Sequence, residues 1–221
     1  MKRSLQYIRL TTGLATCAAA LTLAAGCASS GYKGEKTAQN IQTTATRIEG
    51  LPAMVDKTMA SLDDLVNKPQ ADLQPQFKQF NANLAELESS AKEIGAARRS
   101  MGEKGKEFFT EWDKQLAEIN NEDIRARSEA RKKEVIEKMD AIKRSYTEAE
   151  TAFRPFMADL KDVQKYLSVD LTAGGVAAIK PTVAKANKNA AALKTSATKL
   201  AADFKALGVA MSAVTPPAPA K

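Results

Sequence analysis

The sequence predicts an all-α fold: an elongated antiparallel bundle of four long helices with a protruding central coiled-coil hairpin. Two apolar series and the asparagine pair between them carry that expectation. The first series steps in threes and fours from Phe77 through Phe80, Leu84, Leu87, Ala91 and Ile94 to Met101, Phe108, Trp112 and Ile119. Only Arg98, Gly105 and Gln115 break it. The second runs from Ile124 through Val135, Met139, Ile142, Tyr146, Phe153, Phe156, Leu160 and Val163 to Leu167. A spacing near 3.5 residues suits helices packed side by side along a narrow seam. Asn120 and Asn121 supply a short polar turn and an N-cap, and Glu122 and Asp123 favour the positive end of the helix that follows. Two such runs joined by two polar residues form a long antiparallel hairpin.

The flanking helices follow from the same periodicity. A first helix is expected from Glu35 to Val66, with Ile41, Ile48, Val55 and Leu62 at one heptad position and Thr44, Leu51, Thr58 and Leu65 at the other. Gly50 and Pro52 interrupt it. The register continues across them, so they predict a kink rather than a stop. After Asn67–Pro69 the second helix starts near Asp72, with Pro75 tolerated in its first turn, and ends near Ile119. It carries Gly95, Gly102 and Gly105 beside Arg98 and Arg99, and each interior glycine costs about 1 kcal/mol against alanine. That stretch predicts a bend or the close approach of a neighbouring backbone. Pro155 should bend the third helix near Phe153. Gly174–Gly175 marks the third connection. A fourth, alanine-rich helix then runs from Val176 to Met211, with Ile179, Val183, Ala186, Leu193, Leu200, Phe204 and Leu207 on its seam. The inner helices are longer than the outer ones, so the hairpin overhangs the bundle at the end where both termini lie. Residues 35–211 thus form the bundle, and residues 212–221 a Pro/Ala-rich tail.

Composition narrows the chemistry. The chain of 221 residues has 27% charged and 5% aromatic residues and no histidine. Without histidine, the commonest general base and metal ligand is missing. No catalytic constellation, metal site or cofactor is expected, and the chain reads as a non-enzyme. The stretch 125–144 is dense in both signs, with Glu129–Lys133 and Glu134–Lys138 in the favourable i,i+4 order. It reads as a self-paired face rather than a nucleic-acid surface. The fourth helix is basic, and Lys185, Lys188 and Lys199 share one face. That face reads first as solvated and partly paired with acidic neighbours, and alternatively as a patch for anionic headgroups.

Residues 1–26 read as a signal peptide: Lys2, Arg3 and Arg9, then an apolar stretch from Leu10 to Ala25 that is short for a membrane span. The stretch ends in Leu23-Ala24-Ala25-Gly26-Cys27, which resembles a bacterial lipobox, with the leucine one place further from the cysteine than in the usual pattern. The resemblance implies cleavage before Cys27 and acylation of that residue. Residues 27–34 then form a tether from the membrane. Ala28 after the cysteine implies the outer membrane, with the protein facing the periplasm. Acyl chains would anchor the chain without a transmembrane helix.

The run Phe109-Thr110-Glu111-Trp112, the turn after it, and Ile124-Arg125-Ala126-Arg127-Ser128-Glu129 resemble an uncharacterised bacterial envelope family of long-helix proteins, a domain of unknown function. Phe153-Arg154-Pro155 and Leu167-Ser168-Val169-Asp170-Leu171 extend the resemblance, which covers about Glu35 to Leu207. It implies a helical fold and brings no reaction, cofactor or ligand. The expected function is a membrane-anchored scaffold with an envelope protein partner, contacted through Phe109 and Trp112. Two alternatives are a lipid or small hydrophobic ligand bound between helices at the glycine-rich stretch, and covalent tethering to peptidoglycan through Lys221.

Overall fold

The structure is a computed structural model and describes residues 34–213. The leader, Cys27, the tether through Lys33, and the tail from residue 214 to Lys221 lie outside the described residues. The described chain is helical throughout, with short connections. Its helices are α1 (Glu35–Glu49), α2 (Leu51–Asn67), α3 (Gln74–Ala117), α4 (Glu122–Leu167), α5 (Ala173–Ala178) and α6 (Lys180–Met211).

The four expected helices become six segments because each outer helix is divided at a single residue. Gly50 separates α1 from α2, and Ile179 separates α5 from α6; both keep right-handed helical backbone angles. A proline stands two residues after each, Pro52 and Pro181. Proline offers no N–H to the carbonyl four residues back and crowds it, which interrupts the bonding ladder. Pro155, by contrast, lies inside α4, which continues as one helix past it. The connection expected at Gly174–Gly175 is instead the first turn of α5. Thr172 caps that turn, its Oγ1 accepting from the Gly175 N–H at 3.1 Å.

Capping explains the other ends. Asn121 Oδ1 accepts from the Ile124 N–H at 3.0 Å and starts α4, while Arg125 reaches back to the Ile119 carbonyl at 2.6 Å and closes the end of α3. At the opposite end of the bundle Gln76 holds the α2–α3 turn. Its Nε2 donates to Asp64 Oδ2 at 2.7 Å and to the Lys68 carbonyl at 3.1 Å, and its Oε1 accepts from the Gln70 N–H at 3.1 Å. These bonds let a buried amide close a loop whose carbonyls would otherwise be unpaired.

One core runs through the bundle, from Ala38, Ile41 and Ile48 of α1 past Leu62, Phe80, Leu87, Phe156 and Leu160 to Leu200, Phe204 and Leu207 of α6. α6 lies closest to α4 and α1, whereas α3 and α4 stand further apart. Side-chain size accounts for the difference. Ala186, Ala190, Ala197 and Ala201 of α6 are buried and admit neighbouring backbones. At Gly208 an added Cβ would sit 2.8 Å from Gln42 Cγ. The narrow α3–α4 seam expected from the sequence is therefore open along part of its length, and its apolar residues also pack inward on α2 and α6. Ile124, which opens the second apolar series, is 53% exposed.

The ends of α1 and α6 meet: Glu35 Oε2 accepts from the Ala213 N–H at 3.0 Å. At that level Arg131 of α4 donates to the Ala210 carbonyl. Among the described residues, the α3–α4 hairpin continues past this level for about ten residues per strand, or roughly 15 Å at 1.5 Å per residue.

α3 runs unbroken through Gly95, Gly102 and Gly105. A side chain, not a backbone, approaches two of them: an added Cβ at Gly95 would lie 3.3 Å from Tyr146 Oη, and one at Gly105 would lie 2.6 Å from Met139 Cε. Gly102 faces open space. Gly102→Ala is therefore expected to stabilise the fold by up to about 1 kcal/mol, because the helical preference of alanine is gained without a clash. Urea unfolding checks the sign.

Candidate functional site

The separation of α3 from α4 leaves a groove along one face of the pair. On α3 its wall is the stripe Glu88, Lys92, Gly95, Arg99, Gly102 and Lys106, alternating steps of four and three that keep to one side of a helix. One cleft in the groove encloses about 410 Å³, floored by Ile94, Phe153, Met157, Leu193 and Leu200. A second, of about 550 Å³, continues toward the hairpin tip between Met101 and Phe109 of α3 and Ile136 and Met139 of α4. Both fall in the size range of small-molecule sites, roughly 300–1,000 Å³. The glycines set the groove's shape: Tyr146 and Met139 settle against Gly95 and Gly105, and Gly102 leaves its stretch of wall bare.

The rim is charged. Glu88 accepts from Lys161 at 2.8 Å and pairs with Lys92 at 3.1 Å. The hydrogen bond from Lys161, then that from Lys92, holds its carboxyl below the ordinary value of 4.5. Arg154 pairs with Glu150 at 2.6 Å, and Arg98 lies over the Tyr146 ring at 4.4 Å from its centroid. Arg99 lines both clefts and makes no hydrogen bond or ion pair among the described residues.

A carboxyl whose folded value is depressed adds stability above its unfolded value and loses it as pH falls through the folded value. The Lys92–Glu88–Lys161 bridge should thus hold at neutral pH and weaken from about pH 4.5 downward. Glu88→Gln should flatten that part of the acid limb in a series of unfolding curves against pH. The effect is small because the group is partly solvated.

At the hairpin tip the two residues singled out in the sequence come together. Phe109 and Trp112 stack at 6.3 Å between ring centres, and Phe108 meets both edge-on at 5.7 and 5.5 Å. All three rings are half-buried. Trp112 Nε1 donates to Ser128 Oγ at 2.9 Å, which pins this ring to α4. Lys132 sits 5.9 Å from the centre of the Phe109 ring and also pairs with Asp113. The cluster braces the hairpin and leaves part of each ring accessible.

The lysine face of α6 lies beside α4 and carries acidic partners. Lys185 donates to Asp159 at 2.8 Å and Lys199 to Glu148 at 2.6 Å, while Lys188 is exposed. Asp159 is 8% exposed and also accepts from Asn189 at 3.0 Å. Periodicity gave no sign of this buried carboxylate, which stands beside Leu160 and three residues after Phe156 on the packed face.

Among the described residues no group of three His, Cys, Asp or Glu side chains is placed to hold a metal ion. No described helix is long and apolar enough to cross a membrane. No curated protein and no solved structure matches the chain. One family model does, over residues 33–207, which span all but the last few residues of the bundle and include both the groove and the tip. The chain therefore belongs to the family described as "Protein of unknown function (DUF2959)".

Proposed function

We propose that the protein is a non-enzymatic lipoprotein, anchored to the outer membrane through Cys27 and acting in the bacterial cell envelope as a helical scaffold that binds a protein partner. The observation that carries this reading is the aromatic cluster toward the hairpin tip, where the half-buried rings of Phe108, Phe109 and Trp112 stay partly accessible close to the level at which α6 ends. Aromatic side chains offer large contact area at low entropy cost and dominate binding energy at interfaces. The lipobox-like sequence before Cys27 supports the anchor.

Photo-crosslinkers placed at Phe109 and at Lys188 in cells test the partner. Capture of one protein from Phe109, and its loss by about 2 kcal/mol of binding energy in Phe109→Ala with helicity unchanged, is the expected outcome. Undiminished capture by that variant removes the tip from the interface. Globomycin should block maturation of the precursor, and unaffected processing would overturn the anchor.

The α3–α4 groove favours a second reading, binding of a small hydrophobic ligand between helices. Its apolar floor and glycine-lined wall are the supporting features.

A further inference from the structure

The charge of the groove differs from that of the helices that form it. α3 carries seven basic and seven acidic residues and α4 eleven and ten. The two clefts together are lined by seven basic side chains, among them Lys92, Arg99, Lys106 and Arg154, and only four acidic ones. Positive charge is thus gathered along the opening. Much of it is already engaged: Lys92 and Lys161 share Glu88, Arg154 holds Glu150, and Lys143 pairs with Asp140 at 2.8 Å. Among the described residues Arg99 is not engaged. It stands where the clefts adjoin, exposed, with the apolar floor of Ile94, Phe153, Met157 and Leu193 to one side. A cation without a partner at the mouth of an apolar trough matches a molecule that is anionic at one end and hydrocarbon along the rest. A planar guanidinium suits both carboxylate and phosphate oxygens.

We propose that the α3–α4 groove binds a single-chain anionic amphiphile, a fatty acid or a lysophospholipid, with its acyl chain on the Ile94–Phe153–Met157 floor and its head at Arg99. The inference rests on the second reading above and names its ligand class. Burial of the chain supplies the affinity in proportion to apolar area removed from water. The guanidinium adds a charge-assisted hydrogen bond that an uncharged head cannot match. Gly102 leaves space beside the head, so a bulky phosphate ester is accommodated as well as a carboxylate.

Native mass spectrometry and tryptophan-fluorescence titration of the purified full-length protein, handled in an uncharged detergent, test the proposal with four probes: oleate, lysophosphatidylglycerol, oleyl alcohol and lysophosphatidylcholine. Oleate and lysophosphatidylglycerol are expected to bind at least about tenfold more tightly than their uncharged or zwitterionic counterparts, and Arg99→Gln should erase that preference. Preference for oleate alone identifies a free fatty acid, and preference for both anions a lipid-derived ligand. Ala149→Phe, which adds bulk over the floor, should weaken all four probes while the melting curve is kept. Equal binding of charged and uncharged probes, indifferent to Arg99→Gln, overturns the anionic ligand and leaves the hydrophobic groove standing. Binding of none of the four overturns both. Anion binding that survives Ala149→Phe places the site elsewhere.

Discussion

Phe204→Ala is expected to destabilise the protein by about 4 kcal/mol, within the usual range for emptying a buried phenylalanine site. Phe204 is 1% exposed and belongs to the last third of α6. It borders the same small cleft as Ile41 of α1 and Met101 of α3, so one ring ties three helices together. The flanking contacts cannot collapse into the space easily, because α6 is already held close to α1 at Gly208. Urea unfolding followed by circular dichroism measures the loss, and a change below about 1 kcal/mol would mean that α6 is not docked as described. Phe109→Ala is the natural comparison: its ring is half-buried, and a cost of about 1 kcal/mol is expected there in proportion to the smaller area lost.

The second large effect is at the start of α5. Gly175→Ala should destabilise by about 2 kcal/mol, although alanine is the better helix former. A Cβ at Gly175 would fall 2.1 Å from the Asp170 carbonyl oxygen and 2.9 Å from Asp170 Cγ. The first is a backbone atom and cannot rotate away, so the turn between α4 and α5 must shift. Overpacking against a backbone atom at so short a distance falls at the upper end of the usual range, about 3 kcal/mol, which leaves about 2 kcal/mol after the roughly 1 kcal/mol gained in helix propensity. Gly174→Ala is the control: its nearest neighbour would be Thr172 Oγ1 at 3.5 Å, an ordinary contact. It should be neutral or slightly stabilising. If both variants melt alike, the tight turn at Asp170 is wrong.

Helical class, helix order and most boundaries were legible in the sequence, because period and capping are local signals. Asn121 was readable as a cap, and Pro75 as a first-turn residue. What was not legible depends on how helices meet. Gly174 and Gly175 look like a linker, yet Thr172 and the need for space against Asp170 make them the opening of a helix. The series from Phe77 to Leu167 looks like a two-helix seam, yet the distance between α3 and α4 is set by α2 and α6 packing beneath them. The alanines that draw α6 close to α4 are ordinary helix formers in one dimension.

The candidate site divides in the same way. Phe109 and Trp112 were identifiable from their type and their place near the turn. The glycine-rich stretch was recognisable as unusual, but its effect, a wall left bare at Gly95 and Gly102 on either side of Arg99, requires knowing which face of α3 it occupies. Asp159 left no trace in the pattern, since a carboxylate next to the apolar series reads as solvated until Lys185 and Asn189 are brought to it. Surface pairs such as Lys57–Glu86 at 2.7 Å and Lys194–Asp56 at 2.6 Å are equally invisible in sequence, and matter less because exposed pairs contribute little.

The bond from Arg131 to the Ala210 carbonyl has a consequence for how the molecule opens. It acts as a collar. Among the described residues, α3 and α4 beyond it have only each other, joined by Trp112–Ser128 and by Arg125 to the Ile119 carbonyl, so amide hydrogens there should trade with solvent fastest. Fraying that begins at Asn120 would travel down both strands and stall at the arginine, where a third helix joins. The hairpin can therefore unzip and reclose as a local event while the remainder of the bundle keeps its structure.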